Sequence, residues 1–167
     1  EEGIPVESVA QWEEIRRDEI LELFREHVYG RIPESEVQIN QRLVFEDREA
    51  LGGTSIQKEV SLEVCGRTDT LDIRMLIFLP GEQSGPLPLF VGLNFYGNQI
   101  VHPDPQISLT ESWVSNNKDF GITENRATDA TRGVRTSRWP VELILSRGYG
   151  LATIYYGDID PDFDDGF

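Results

Sequence analysis

Apolar positions along the chain change period repeatedly, and each change marks a different element. Trp12, Ile15, Ile20, Leu23, Phe24 and Val28 recur at helical spacing. Ser8 followed by Gln11 forms a capping box, and Gly30 with Pro33 beyond it supplies a stop, so the spacing predicts a helix over 9–29. From Glu36 to Leu79 the period becomes two. Val37, Ile39, Leu43 and Phe45 alternate with polar residues, Gly52-Gly53 turns the chain, and 56–64 alternates again. Cys65 to Asp69 is a turn cluster, and 71–79 is a further strand. Strands joined by short turns predict an antiparallel meander at a sheet edge.

The pattern then changes once more. Leu87 to Phe95 is a nearly unbroken apolar run between Pro86 and the turn Tyr96-Gly97-Asn98-Gln99. Such a run reads as a strand buried on both faces in the middle of a parallel sheet. Residues 100–138 lack any period and read as a long irregular loop. Trp139 to Arg147, with Pro140 in its first turn and Gly148 as a stop, predicts a helix, and Tyr149 to Tyr156 a second buried strand. Strand, crossover helix and strand make a right-handed parallel unit. The fold class is therefore α/β, with an antiparallel edge meander leading into a parallel central sheet. Its segments are a helix and exit (1–35), edge strands and central strand (36–99), a long loop (100–138), and a helix, strand and acidic loop (139–167).

Charge narrows the partners. The 167 residues carry a net charge of −15, which disfavours nucleic acid and anionic membrane surfaces. Only Lys58 and Lys118 are lysines; an acidic, Lys-poor surface suits salty or extracellular water, and equally any acidic soluble protein. No apolar run approaches a membrane span. Cys65 stands alone, so neither an internal disulfide nor a cysteine metal site is expected. The chain starts Glu1-Glu2-Gly3 without Met, for which a removed secretion signal is one explanation.

Candidate chemistry is sparse. Asp158, Asp160, Asp162, Asp164 and Asp165 suggest calcium, but the loop lacks Gly at the sixth place and Glu at the twelfth. A structural role for Asp158 in a loop at a strand's carboxyl end is the better reading. His27, near the end of the first helix, reads as a surface or capping histidine. No serine sits in a Gly-x-Ser-x-Gly elbow, and no Ser/His/acid set is present. The turn at Tyr96, Gly97, Asn98 and Gln99 is placed to offer backbone N–H groups, as an oxyanion site requires, or is a plain turn. Arg126, Arg132, Arg135 and Arg138 can hold a carboxylate or sugar acid bidentately, or answer the protein's own acids.

Several blocks together resemble one family. Gly92-Leu93-Asn94-Phe95-Tyr96-Gly97-Asn98, Arg132-Gly133 with Ser137-Arg138-Trp139-Pro140-Val141-Glu142, Arg147-Gly148-Tyr149-Gly150-Leu151-Ala152-Thr153 and Tyr156-Gly157-Asp158-Ile159-Asp160-Pro161-Asp162 are similar to the bacterial glucuronoyl esterases. Val28-Tyr29-Gly30-Arg31-Ile32-Pro33 looks like that family's exit from the N-terminal helix. Gln99 stands where family members usually show His. These carbohydrate esterases, also labelled acetyl xylan esterases, have the α/β-hydrolase three-layer sandwich, so the resemblance implies that 1–167 is a partial domain, its N-terminal half. It implies cleavage of an ester between xylan-borne glucuronic acid and a lignin alcohol by a Ser–His–acid triad, without a cofactor or metal. The nucleophile follows the next strand and the acid and His come later, so the triad is expected beyond residue 167 and no catalytic residue is assigned in this chain. The implied partners are the C-terminal half and the xylan ester, and the implied location is secreted or periplasmic. Tyr96, Gly97, Asn98, Gln99, Trp113, Arg138 and Asp158 are the oxyanion or cleft candidates, with the long loop as a cleft wall. The alternatives are a carbohydrate-binding module that stacks sugars on Trp113, Trp139, Tyr155 and Tyr156, or a module that pairs its open sheet edge with a second copy.

Overall fold

The computed structural model describes residues 3, 5–32, 37–67, 69–82, 85–164 and 166. The expected Pro33 stop, Glu36, Thr68 in the turn cluster, Gln83 and Ser84 in the linker, and Asp165 of the acidic run lie outside these. The chain divides into two compact units, Glu1–Glu36 and Val37–Phe167.

The first unit is the expected helix, α1, continuous over residues 9–29. It alternates α-helical Val9–Gln11 and Arg17–Phe24 with π-helical Trp12–Arg16 and Arg25–Tyr29. The Ser8 hydroxyl accepts from the Gln11 N–H at 3.2 Å, as a cap should. The reciprocal bond falls one residue early: the Gln11 side chain accepts from the Glu7 N–H at 2.8 Å. Gly30 ends the helix at φ 72°, a left-handed backbone that costs glycine no Cβ clash. His27 is exposed at this end.

The second unit is built on one mixed sheet. Its strands are β1 (Gln38–Glu49), β2 (Ser55–Cys65), β3 (Thr70–Pro80), β4 (Leu89–Asn94) and β5 (Gly150–Tyr155), in the order β1-β2-β3-β5-β4. The first three form the expected antiparallel meander, with a bulge in β1 between Leu43 and Phe45. β3 pairs antiparallel with β5, and β5 pairs parallel with β4. Helix α2 (Val141–Ser146) lies on the crossover from β4 to β5. The sheet is not closed: β4 has no neighbour on its far side among the described residues. The apolar run therefore lies at an open edge of this chain, with Val91 66% and Leu93 54% exposed, rather than buried on both faces.

One face of the sheet is covered. Leu76 and Phe78 of β3, Leu151 of β5, Val141 and Leu145 of α2, and Ile100, Val101 and Ile107 of the long loop make the main core. The loop is irregular, as expected, yet it is packed. Val114 and Ile122 form a second small core with Tyr155.

The alternation on β2 runs opposite to the usual amphipathic strand. Ser55, Gln57, Glu59 and Ser61 are the buried positions, and Ile56, Lys58, Val60 and Leu62 are half-buried. Buried polar groups need partners, and most here have them. Ser55 donates to the Ala50 carbonyl, Ser61 to Asp72 at 2.7 Å, and Glu59 accepts from the Ser108 N–H at 2.6 Å and faces Arg74 at 3.4 Å. The turn before β2 supplies Ala50, β3 supplies Asp72 and Arg74, and the long loop supplies the Ser108 N–H. The apolar row of β2 lies on the other face and is half-buried.

Gln57 is the exception, fully buried with neither amide atom partnered among the described residues. Replacing an unpaired buried amide by an apolar group of the same shape removes a desolvation cost. Gln57→Met is expected to leave stability unchanged or raise it by about 1 kcal/mol in urea denaturation.

Candidate functional site

Ligands of open α/β sheets collect outside the carboxyl ends of the strands. Here β4 and β5 end side by side, with Asn94 paired to Tyr155. Asn94 is buried and ties this end together. Its amide nitrogen donates to Asn98 Oδ1 at 2.7 Å and to Thr153 Oγ1 at 3.0 Å, and its oxygen accepts from the Gly97 N–H at 2.9 Å. Asn98 in turn donates to the Arg74 carbonyl at 2.9 Å. Gln99 folds back to the Tyr96 carbonyl at 2.6 Å. Gly97 has φ 96°, and a Cβ there would strike Gln99 and Thr110, so glycine alone fits the turn.

The expected site residues separate into distinct places. Gly97, Asn98 and Gln99 are buried in the turn, and the Gly97 N–H is already committed to Asn94. In this structure that N–H serves the turn, at 2.9 Å from the Asn94 side-chain oxygen. Tyr96 and Arg138 line a cavity of about 150 Å³ at the ends of β4 and β5, with Arg135, Trp139, Tyr156 and Asp162. Asp158 lies instead in a second cavity of about 340 Å³ with Asp72, Arg74, Asn98 and Ser112. Trp113 lines neither; its ring packs on Phe163 at 5.3 Å, and its carbonyl accepts from the Tyr155 hydroxyl at 2.8 Å.

The smaller cavity has a built wall. The Trp139 ring lies against Gly92, so close that an added Cβ would sit 3.0 Å from it. Tyr96 and Phe120 meet edge to face at 5.3 Å, and the Arg135 guanidinium lies 4.4 Å over Phe120 and 5.8 Å over Tyr96. Asp162 accepts from the Ser115 hydroxyl at 3.1 Å and is hydrogen-bonded to Tyr156. Burial and this carboxylate push the Tyr156 phenol up to about 12, so it keeps its proton at neutral pH. Burial raises the Tyr155 phenol as well.

Asp158 accepts from the Ser112 hydroxyl at 2.7 Å and the Arg74 N–H at 3.2 Å. Desolvation nevertheless raises its carboxyl above the ordinary range, against the pull of those two bonds. Among the described residues no group of three His, Cys, Asp or Glu side chains is arranged to hold a metal ion.

Ser115, Arg135 and Asp162 were not singled out from the sequence as cleft residues. Arg135 lay within the arginine series and Asp162 within the acidic run. No local signal joins Ser115 to Asp162, which are 47 positions apart.

Comparison with known proteins bears on what this arrangement serves. No protein-family model matches the chain. It is 46% identical over 165 residues to a curated carbohydrate esterase of an unknown prokaryotic organism, covering 97% of this chain and 37% of that protein. A promiscuous CE15 esterase from a marine bacterial metagenome superposes with TM-score 0.82 at 44% identity, over 99% of this chain and 41% of that one. A glucuronoyl esterase from Solibacter usitatus gives TM-score 0.79 at 36% identity, over 98% and 41%. This chain has the fold of the N-terminal part of a CE15 esterase. It spans about two fifths of the length of these CE15 relatives. In the CE15 fold of this chain, both cavities lie at the carboxyl end of the sheet, and the smaller one lies beside the open β4 edge.

Two outcomes follow from this geometry. Asn94→Ala strands the Gly97 N–H and loosens the β4–β5 ends, and is expected to cost about 3 kcal/mol in chemical denaturation. For Asp158, a raised folded pKa means that the native state binds the proton more tightly than the unfolded chain. Its contribution to stability is then full below the unfolded value, about 3.9, and is lost as pH rises through the folded value. Melting curves of the wild type and Asp158→Asn should therefore diverge in the variant's favour as pH climbs from about 4 towards neutral.

Proposed function

We propose that this chain forms one wall of the active-site cleft of a serine-type carbohydrate esterase hydrolysing glucuronoyl, or acetyl, esters of xylan. The observation that carries this is the open β4 edge beside a polar and aromatic cavity, in a fold like that of the CE15 esterases. A strand added parallel to β4 would bring its own carboxyl end next to Tyr96 and Arg138. A serine at such a strand end is where an α/β-hydrolase carries its nucleophile.

In this reading the chemical step belongs to residues outside 1–167. The serine attacks the ester carbonyl, a histidine takes the serine proton and returns it to the departing alcohol, and an acid orients the histidine. Water then releases the uronate from the acyl-enzyme. The residues described here position and shield the substrate: the Tyr96–Gln99 turn under the site, and the loop over 100–138 as its wall. The partner is the C-terminal part of the same enzyme, and the setting is outside the cytoplasm, where lignocellulose is met.

The test is complementation. Residues 1–167 alone are expected not to hydrolyse benzyl glucuronate, and hydrolysis is expected to appear when the C-terminal part is supplied in trans. Turnover by the verified 167-residue chain, abolished by one Ser→Ala change within it, would overturn the proposal.

A further inference from the structure

The edge of a sheet is a row of unpaired N–H and C=O groups, and folds guard it with lysine, proline, inward-pointing charge or a bulge. This sheet has two edges. The β4 edge belongs to the esterase reading. The other is β1, which has β2 on one side and no strand on the other among the described residues. β1 divides at its bulge between Leu43 and Phe45. Beyond it, Glu46, Asp47, Arg48 and Glu49 charge the strand. Before it, residues 37–44 hold no lysine, proline or acid, although the chain carries 30 acids, and residues 38–43 are all exposed.

The apolar side chains of this bare half share one face. Ile39, Gln41 and Leu43 stand opposite Val64, Leu62 and Val60 of β2, on the side of its apolar row. Ile39 is 58% and Leu43 54% exposed, and they lie two places on either side of Gln41. An antiparallel copy of the strand, related by a two-fold axis through Gln41, therefore sets Ile39 of each copy against Leu43 of the other. A slip of one residue turns the second copy over and breaks both pairs. The polar row agrees with this register. It sets Arg42 of each copy against Asn40 of the other, and Asn40 donates to Glu63 on β2 at 2.8 Å. Each guanidinium thus arrives beside an amide that already holds a carboxylate, and no like charges are opposed. The bulge ends the match, because it shifts the alternation of the strand beyond Leu43.

We infer that β1 is a self-association edge: two copies of this chain join β1 to β1, antiparallel about Gln41 over residues 38–44, into one continuous sheet. The contact is isologous, so it closes at two copies. It is also small, below the roughly 1,000 Å² of a stable interface, and the dimer is expected to dissociate with a Kd of about 10–100 μM. The inference does not rest on the esterase reading, since β1 and β4 are opposite edges of the sheet.

The experiment is sedimentation equilibrium of the full-length protein from about 5 to about 500 μM, a span suited to so small a contact, for the wild type and Leu43→Lys. Leu43 is exposed, so its replacement spares the core. Oxidative cross-linking of Gln41→Cys and Arg48→Cys, both with Cys65→Ser, reads the register. Directly opposed residues of an antiparallel pair lie about 5 Å apart, within reach of a disulfide. Arg48 lies beyond the bulge and outside the pairing, and any other thiol is common to both variants. The wild type is expected to pass from monomer to dimer across the range, and Leu43→Lys, which breaks both apolar pairs, to weaken association at least about tenfold. Gln41→Cys should form a reducible dimer at least tenfold faster than Arg48→Cys. A wild type that stays monomeric throughout would mean that chain outside 1–167 covers the edge, and would overturn the inference. A dimer indifferent to Leu43→Lys, or equal cross-linking of the two cysteine variants, would place the contact elsewhere and overturn it as well.

Discussion

The carboxyl end of this sheet depends on one amide side chain. Asn94 closes β4, reaches across to Thr153 of β5, and holds both Gly97 and Asn98 in the turn that follows. In a buried setting each of these bonds is enforced by the cost of leaving its partner unpaired. An apolar residue would pack there, but it would leave the turn free to choose another path. Everything placed by that turn, Tyr96 above all, inherits its position from Asn94. The same network continues through Asn98 to the Arg74 carbonyl, so β3, β4 and β5 are joined at their ends as well as along their ladders.

Most elements were legible in the spacing of apolar residues, because period is a local property of backbone geometry. The helix over 9–29, the meander and the strand–helix–strand crossover all appear where the pattern placed them. What the pattern could not show was which face of β2 would be covered. Ser55, Gln57, Glu59 and Ser61 look like a solvated row, and they are the buried one, with Ala50, Asp72, Arg74 and the Ser108 N–H as polar partners for all but Gln57. The partner from the long loop lies 49 positions from Glu59, beyond any window along the chain. The same limit applied to the site. Tyr96 and Arg138 line one cavity, whereas Asp158 bonds to Ser112 and Trp113 packs on Phe163, away from it.

The long loop shows how an irregular segment keeps one shape. Its backbone makes few repeating bonds, yet Val114 and Ile122 bury themselves against Tyr155, and Arg132 ties its return to the carbonyls of Asp104 and Ile107. The result is a wall stiff enough to hold a guanidinium over an aromatic ring. Recognition can then be prearranged without any strand or helix at the binding surface.

The bareness of Gly92 sets the shape of that wall from below. With no side chain on the strand, the Trp139 indole settles onto the backbone itself. One methyl group at this position would lift the ring by a few tenths of an ångström towards the neighbouring hollow. The bore of that hollow is thus tuned by an atom that is missing. A lineage could narrow or widen its choice of ligand there by exchanging glycine for alanine, without altering any group that meets the ligand.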